Sequence, residues 1–79
     1  MSKNAIRAAR AEAVLQTYVL AKGEVFENNS SEVADLIADL LHLVARDGYD
    51  QGHDPVESTL RLAQAHFNAE HNNPEEDAA

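Results

Sequence analysis

The sequence predicts an all-α fold, a small three-helix bundle with a disordered acidic C-terminal tail. Three observations carry this reading. Apolar residues recur at steps of three and four in three segments. Asn, Asp, Pro and Gly stand between the segments at positions that start or stop helices. No useful stretch alternates apolar and polar residues at the period of a strand. The 79 residues and 8.6 kDa fit one domain. That domain is expected over residues 1–71, with the tail over 72–79.

The first segment runs from about Lys3 to Lys22 and is rich in good helix formers. Ile6, Ala9, Ala13, Val14, Thr17, Tyr18 and Ala21 form its expected apolar face. Leu15 and Val19 widen that arc. Gly23 is a natural stop, because the residue past a last turn often adopts a left-handed conformation. A second reading carries the helix through Gly23 to Glu27, placing Val25 and Phe26 on the arc of Leu15, Tyr18 and Lys22. Gly inside a helix costs only about 1 kcal/mol, so both readings stand at this stage.

Asn28-Asn29-Ser30-Ser31 is a turn and cap cluster. Asn29 with Glu32 fits a capping box, and Ser31 is an alternative cap. The second segment runs from about Ser31 to Asp47. Val33, Leu36, Ile37, Leu40, Leu41 and Val44 make it the strongest helix signal and the expected centre of the core. Gly48 ends it. Residues 47–55 then read as a loop. Asp54-Pro55-Val56-Glu57 opens the third segment, with Asp54 as cap, Pro55 at the first helical position and Glu57 reaching back. Val56, Leu60, Ala63 and Phe67 form its stripe, with Leu62 beside it. Fraying is expected from Asn68 to Asn72. Residues 72–79 are acidic and lack large apolar side chains.

Charge is unevenly placed. Residues 1–22 hold Lys3, Arg7, Arg10 and Lys22 against Glu12, a balance of +3. Residues 23–79 hold Arg46 and Arg61 against the other 13 acids, a balance of -11, and the two return the total of -8. This excess argues against direct binding of nucleic acid, which needs clustered Lys and Arg. It permits a protein that offers carboxylates to a basic surface. Glu32, Asp35 and Asp39 fall at helical steps away from the Leu stripe. Asp47, Asp50, Asp54 and Glu57 follow around the loop. These seven can line one edge at spacings comparable with a phosphate backbone, and would steer a basic partner towards it. Two blander readings compete: a solvated face that only confers solubility, and neutralisation of these acids by Arg7 and Arg10 within the fold or a dimer.

Other chemistry finds little support. His42 shares a helical face with Asp35 and Asp39, but the two-His spacing of a zinc site is missing. His66, Glu70 and His71 cluster where a helix C-terminus favours positive charge, and His53 lies in the loop. From Asp47 the loop fails the calcium pattern, with Tyr49 third, Gln51 fifth and Ser58 twelfth. There is no Cys, no Gly-x-Ser-x-Gly turn and no phosphate-cradling Gly-rich loop. The expectation is therefore no catalytic residue, no metal and no cofactor. Met1 to Arg10 is polar and basic, and no apolar run approaches the ~20 residues of a membrane span. A cytoplasmic protein is expected. A domain of this size buries only about 60% of its unfolded surface, so a stabilising partner, including a second copy, is expected.

Two resemblances arise at the second segment. The stretches EVADLIADLLHLVARDGYD and LRLAQAHFNAE resemble short helical accessory proteins of bacterial phages, plasmids and integrative elements. The matching residues are Asp35, Leu36, Asp39, Leu40, His42, Gly48, Ala63, His66, Phe67 and Glu70, about half the chain. The sequence departs from that pattern by a longer loop, QGHDP. Mobile-element proteins of this size and acidity include anti-CRISPR inhibitors. The resemblance implies a non-enzymatic inhibitor in the host bacterial cytoplasm that covers the basic surface of a nucleic-acid-binding defence complex. EVADLIADLLHLV also resembles the Glu-x-x-Asp helix of MazG-type all-α nucleoside triphosphate pyrophosphohydrolases. That likeness implies Mg²⁺ held by Glu32 and Asp35 with Glu24 and Glu27. The two pairs stand only four residues apart, and no Lys follows in the third segment to hold phosphates. A structural homodimer of helices is the third expectation.

Overall fold

The computed structural model describes residues 2–48 and 54–73. Over these it is a three-helix bundle with α1 at Lys3–Ala21, α2 at Ser30–Asp47 and α3 at Pro55–His71, and no strand. Asp50, His53, most of the loop expected after Gly48 and tail positions 74–79 lie outside the described residues.

α1 begins where the Ser2 hydroxyl accepts from the Ala5 backbone N–H at 3.1 Å. It ends at Ala21, and Gly23 turns the chain with φ of 77°. The longer reading to Glu27 is therefore set aside, since residues 24–29 form a non-helical link. α2 starts one residue earlier than the sequence indicated. Asn29 is its cap, and the capping box is complete. The Asn29 side chain accepts from the Glu32 N–H at 2.9 Å, and the Glu32 carboxylate accepts from the Asn29 N–H at 3.2 Å. Gly48 closes α2 at φ of 58°, its N–H donating to the Val44 carbonyl at 2.8 Å.

Asp54 caps α3 by accepting from the N–H groups of Val56 and Glu57 at 3.0 and 3.3 Å. The expected return bond from Glu57 is replaced. Its carboxylate instead takes the Arg61 guanidinium at 2.7 Å, one turn further on. α3 ends at His71 with Asn72 as its cap, inside the Asn68–Asn72 range expected for its end. Its last turns are held from outside. From α1, the Asn4 side-chain amide donates to the Glu70 carbonyl at 3.0 Å and Arg7 pairs with the Glu70 carboxylate at 3.2 Å, while within α3 Phe67 stacks on His71 at 5.2 Å.

α2 packs against both other helices, and α1 and α3 are tied at one corner through Glu70. The molecule measures 37 × 37 × 16 Å. Among the described residues, the buried apolar ones are Leu15, Val19 and Val44. Two expectations change here. α1 turns Leu15 and Val19 inward, while Ile6 and Val14 of the expected face stay 44% and 56% exposed. The Leu-rich stripe of α2 buries only Val44, and the stripe of α3 buries nothing. Among the described residues, no helix is long and apolar enough to cross a membrane.

Candidate functional site

The expected docking carboxylates do not form one free edge. Each described member has an assigned local role. Glu32 is 8% exposed and turned inward, so it leaves the surface set and serves the cap. It accepts from the Glu27 N–H at 3.0 Å as well as from Asn29. Desolvation alone would raise its carboxyl. The backbone N–H groups of Glu27, Asn29 and Asn28, with Lys22 nearby, outweigh that and hold it below the usual Glu range. Asp47 takes a bidentate contact from Arg46 at 2.7 and 3.2 Å. Asp54 caps α3 and Glu57 pairs with Arg61.

Asp35 and Asp39 remain on the surface and come together with Tyr18 of α1 and with Lys22, the residue that caps its C-terminus. Lys22 reaches Asp35 at 3.4 Å and Glu24 at 3.2 Å, and its ammonium sits 4.8 Å from the centre of the Tyr18 ring. The Tyr18 hydroxyl donates to the Asp39 carboxylate. That bond, with desolvation and the Asp39 charge, raises the phenol above its ordinary 10.0. Hydrogen bonding to Glu24, and then to Asp35, raises Lys22 above 10.5. One cation among three carboxylates leaves this corner negative, and the contacts hold Asp35 and Asp39 in defined places.

Tyr18 and Lys22 were not singled out as site residues by the sequence. The signal was present as two complementary pairs at four-residue spacing. Tyr18 of α1 with Lys22 at its C-cap meets Asp39 with Asp35 on α2, in antiparallel order. Such a ladder becomes readable only once two helices are known to be neighbours. Within the chain, Arg7 and Arg10 do not neutralise this face. Arg7 goes to Glu70, and Arg10 finds no carboxylate among the described residues.

The carboxylates of the hydrolase-like pattern fall into two pairs, Glu24 with Asp35 about Lys22 and Glu27 with Glu32 about Asn29. Glu24 and Glu27 lie in the link before α2, Glu24 on Lys22 and Glu27 accepting from the Asn29 side chain at 3.3 Å. Among the described residues no three His, Asp or Glu side chains gather into a cluster able to hold a metal ion. His42, His66 and His71 are all exposed. Comparison of the chain with family models, with curated proteins and with solved structures gives no match.

Proposed function

We propose that the chain is a non-enzymatic binding protein of a bacterial mobile element. It covers a Lys/Arg-lined surface of a host nucleic-acid-binding defence complex, as anti-CRISPR inhibitors do. One observation carries this reading. Asp35 and Asp39 are exposed on α2, with Lys22 the cation paired there among the described residues, against a balance of -11 over residues 23–79. Their positions are already held by Lys22 and Tyr18, which lowers the entropy lost when a partner orders them. Charge of this kind speeds encounter with a basic partner and weakens with added salt.

The test compares three proteins in affinity capture from host lysate. Wild type and Tyr18→Phe are expected to retain the same basic, nucleic-acid-binding protein in a salt-sensitive way. Asp35→Asn/Asp39→Asn is expected to lose it while keeping its helical circular dichroism. Tyr18→Phe removes the internal hydrogen bond but leaves both charges, so it separates docking from local structure. Equal capture by the double variant would overturn the acidic-face reading. Pyrophosphate release from a nucleotide panel with Mg²⁺ would overturn the non-enzymatic part.

A further inference from the structure

Lys3, Ile6, Arg7 and Arg10 line one hollow of about 220 Å³ on α1. The three cations follow at steps of four and three, which keeps them on one side of the helix over about 10 Å. They are half of the six Lys and Arg residues, so a polyanion would gather on this face. Neither Lys3 nor Arg10 has a carboxylate partner among the described residues. α1 supplies none. Its first turn has no acid, and Glu12 stands two residues past Arg10, about 200° around the helix. We infer that the acidic stretch Glu75-Glu76-Asp77 of this same chain docks on this basic face and closes it to other anions.

The first argument is position. α3 delivers the chain to the basic face, because Asn4 and Arg7, in the first two turns of α1, hold the carbonyl and carboxylate of Glu70. Arg7 belongs both to that contact and to the basic hollow. α3 stops at His71, and Pro74, which has no N–H, cannot prolong it. From Asn73, extended chain takes Glu75 up to about 7 Å and Asp77 up to about 14 Å away. Lys3 and Arg10 stand about 10 Å apart along α1. The stretch is long enough to pass along all three cations.

Charge then selects the occupant. Three cations less Glu70, which sits on Arg7, leave the face with a balance of +2. Glu75, Glu76 and Asp77 bring three negative charges, and residues 72–79 hold no Lys or Arg. The other cations, Lys22, Arg46 and Arg61, already hold carboxylates. The tether adds to this. A segment tied within a few residues of its site acts at a concentration in the mM range, which a free anion must match. The pairing stands whatever binds Asp35 and Asp39.

The chain has no Cys, so Ala78→Cys can carry a nitroxide that broadens nearby backbone amide signals in NMR spectra. At low salt, broadening over residues 3–10 is expected to fall several-fold in Glu75→Gln/Glu76→Gln/Asp77→Asn, and likewise in Lys3→Gln/Arg10→Gln. Salt at about 1 M, where screening acts within about 3 Å, is expected to do the same to the unsubstituted face and tail. The tether persists in every variant, so broadening that these changes leave as it was overturns the proposal. Broadening that passes from a nitroxide-bearing copy to an isotope-labelled one in a mixed sample places the stretch on another molecule and overturns it as well. Closure is read with a fluorescent oligothymidylate. The variant with the neutral tail is expected to bind it several-fold more tightly than wild type, and equal binding, or none by either, overturns closure.

Discussion

Glu32 carries two opposed demands. Its burial disfavours charge, and the N–H groups at the start of α2 require it. The N–H groups win, so the folded chain binds this proton less tightly than the unfolded one. The stabilisation is present above the ordinary Glu value of 4.5 and is lost as pH falls through the lowered folded value. In Glu32→Gln that part of the acid sensitivity should vanish, as thermal melts at descending pH would show. Asn29→Ala removes the other half of the box and should cost about 1 kcal/mol in urea unfolding. Tyr18 works in the opposite sense. Its phenol is raised by Asp39, so the stabilisation holds below 10.0 and fades as pH rises through the higher folded value. With Tyr49→Phe as background, ultraviolet titration should find Tyr18 ionising late, and Asp39→Asn should bring it back towards the ordinary range.

At the scale of the helix, capping was legible and facing was not. Asn29 with Glu32, Asp54 with Pro55, and the stops at Gly23 and Gly48 follow from backbone groups that need partners locally. The inward side of α1 follows from α2, which the sequence does not place. Apolar and Ala residues ring most of α1, so several stripes fit a helical period equally well. Leu15 and Val19, one turn apart, are the pair that α2 covers. Leu15→Ala should therefore cost about 2–5 kcal/mol, while Val14→Ala, at 56% exposure, should stay within about 0.5 kcal/mol. Chemical denaturation of both variants checks which stripe is inside. Gly23 and Gly48 have open space around an added Cβ, so Gly→Ala there should cost only the left-handed backbone term of about 1–2 kcal/mol.

For the whole molecule, the sequence alone determined the all-α class, three helices, most of their ends and the split of charge into +3 and -11. These depend on interactions within a few residues, or on counting. The tertiary structure decided which carboxylates remain available. Six of the seven expected contacts lie among the described residues. Glu32 and Asp54 went to caps, Asp47 and Glu57 to neighbouring arginines, and Asp35 with Asp39 to an exposed corner beside Lys22 and Tyr18. It also decided that Val33, Leu36, Ile37 and Leu40 of α2 border an open groove shared with α1 instead of a closed core. A helix reports from sequence alone that it has an apolar side. What that side covers depends on where the other helices lie, and that follows from contacts between residues far apart in the chain.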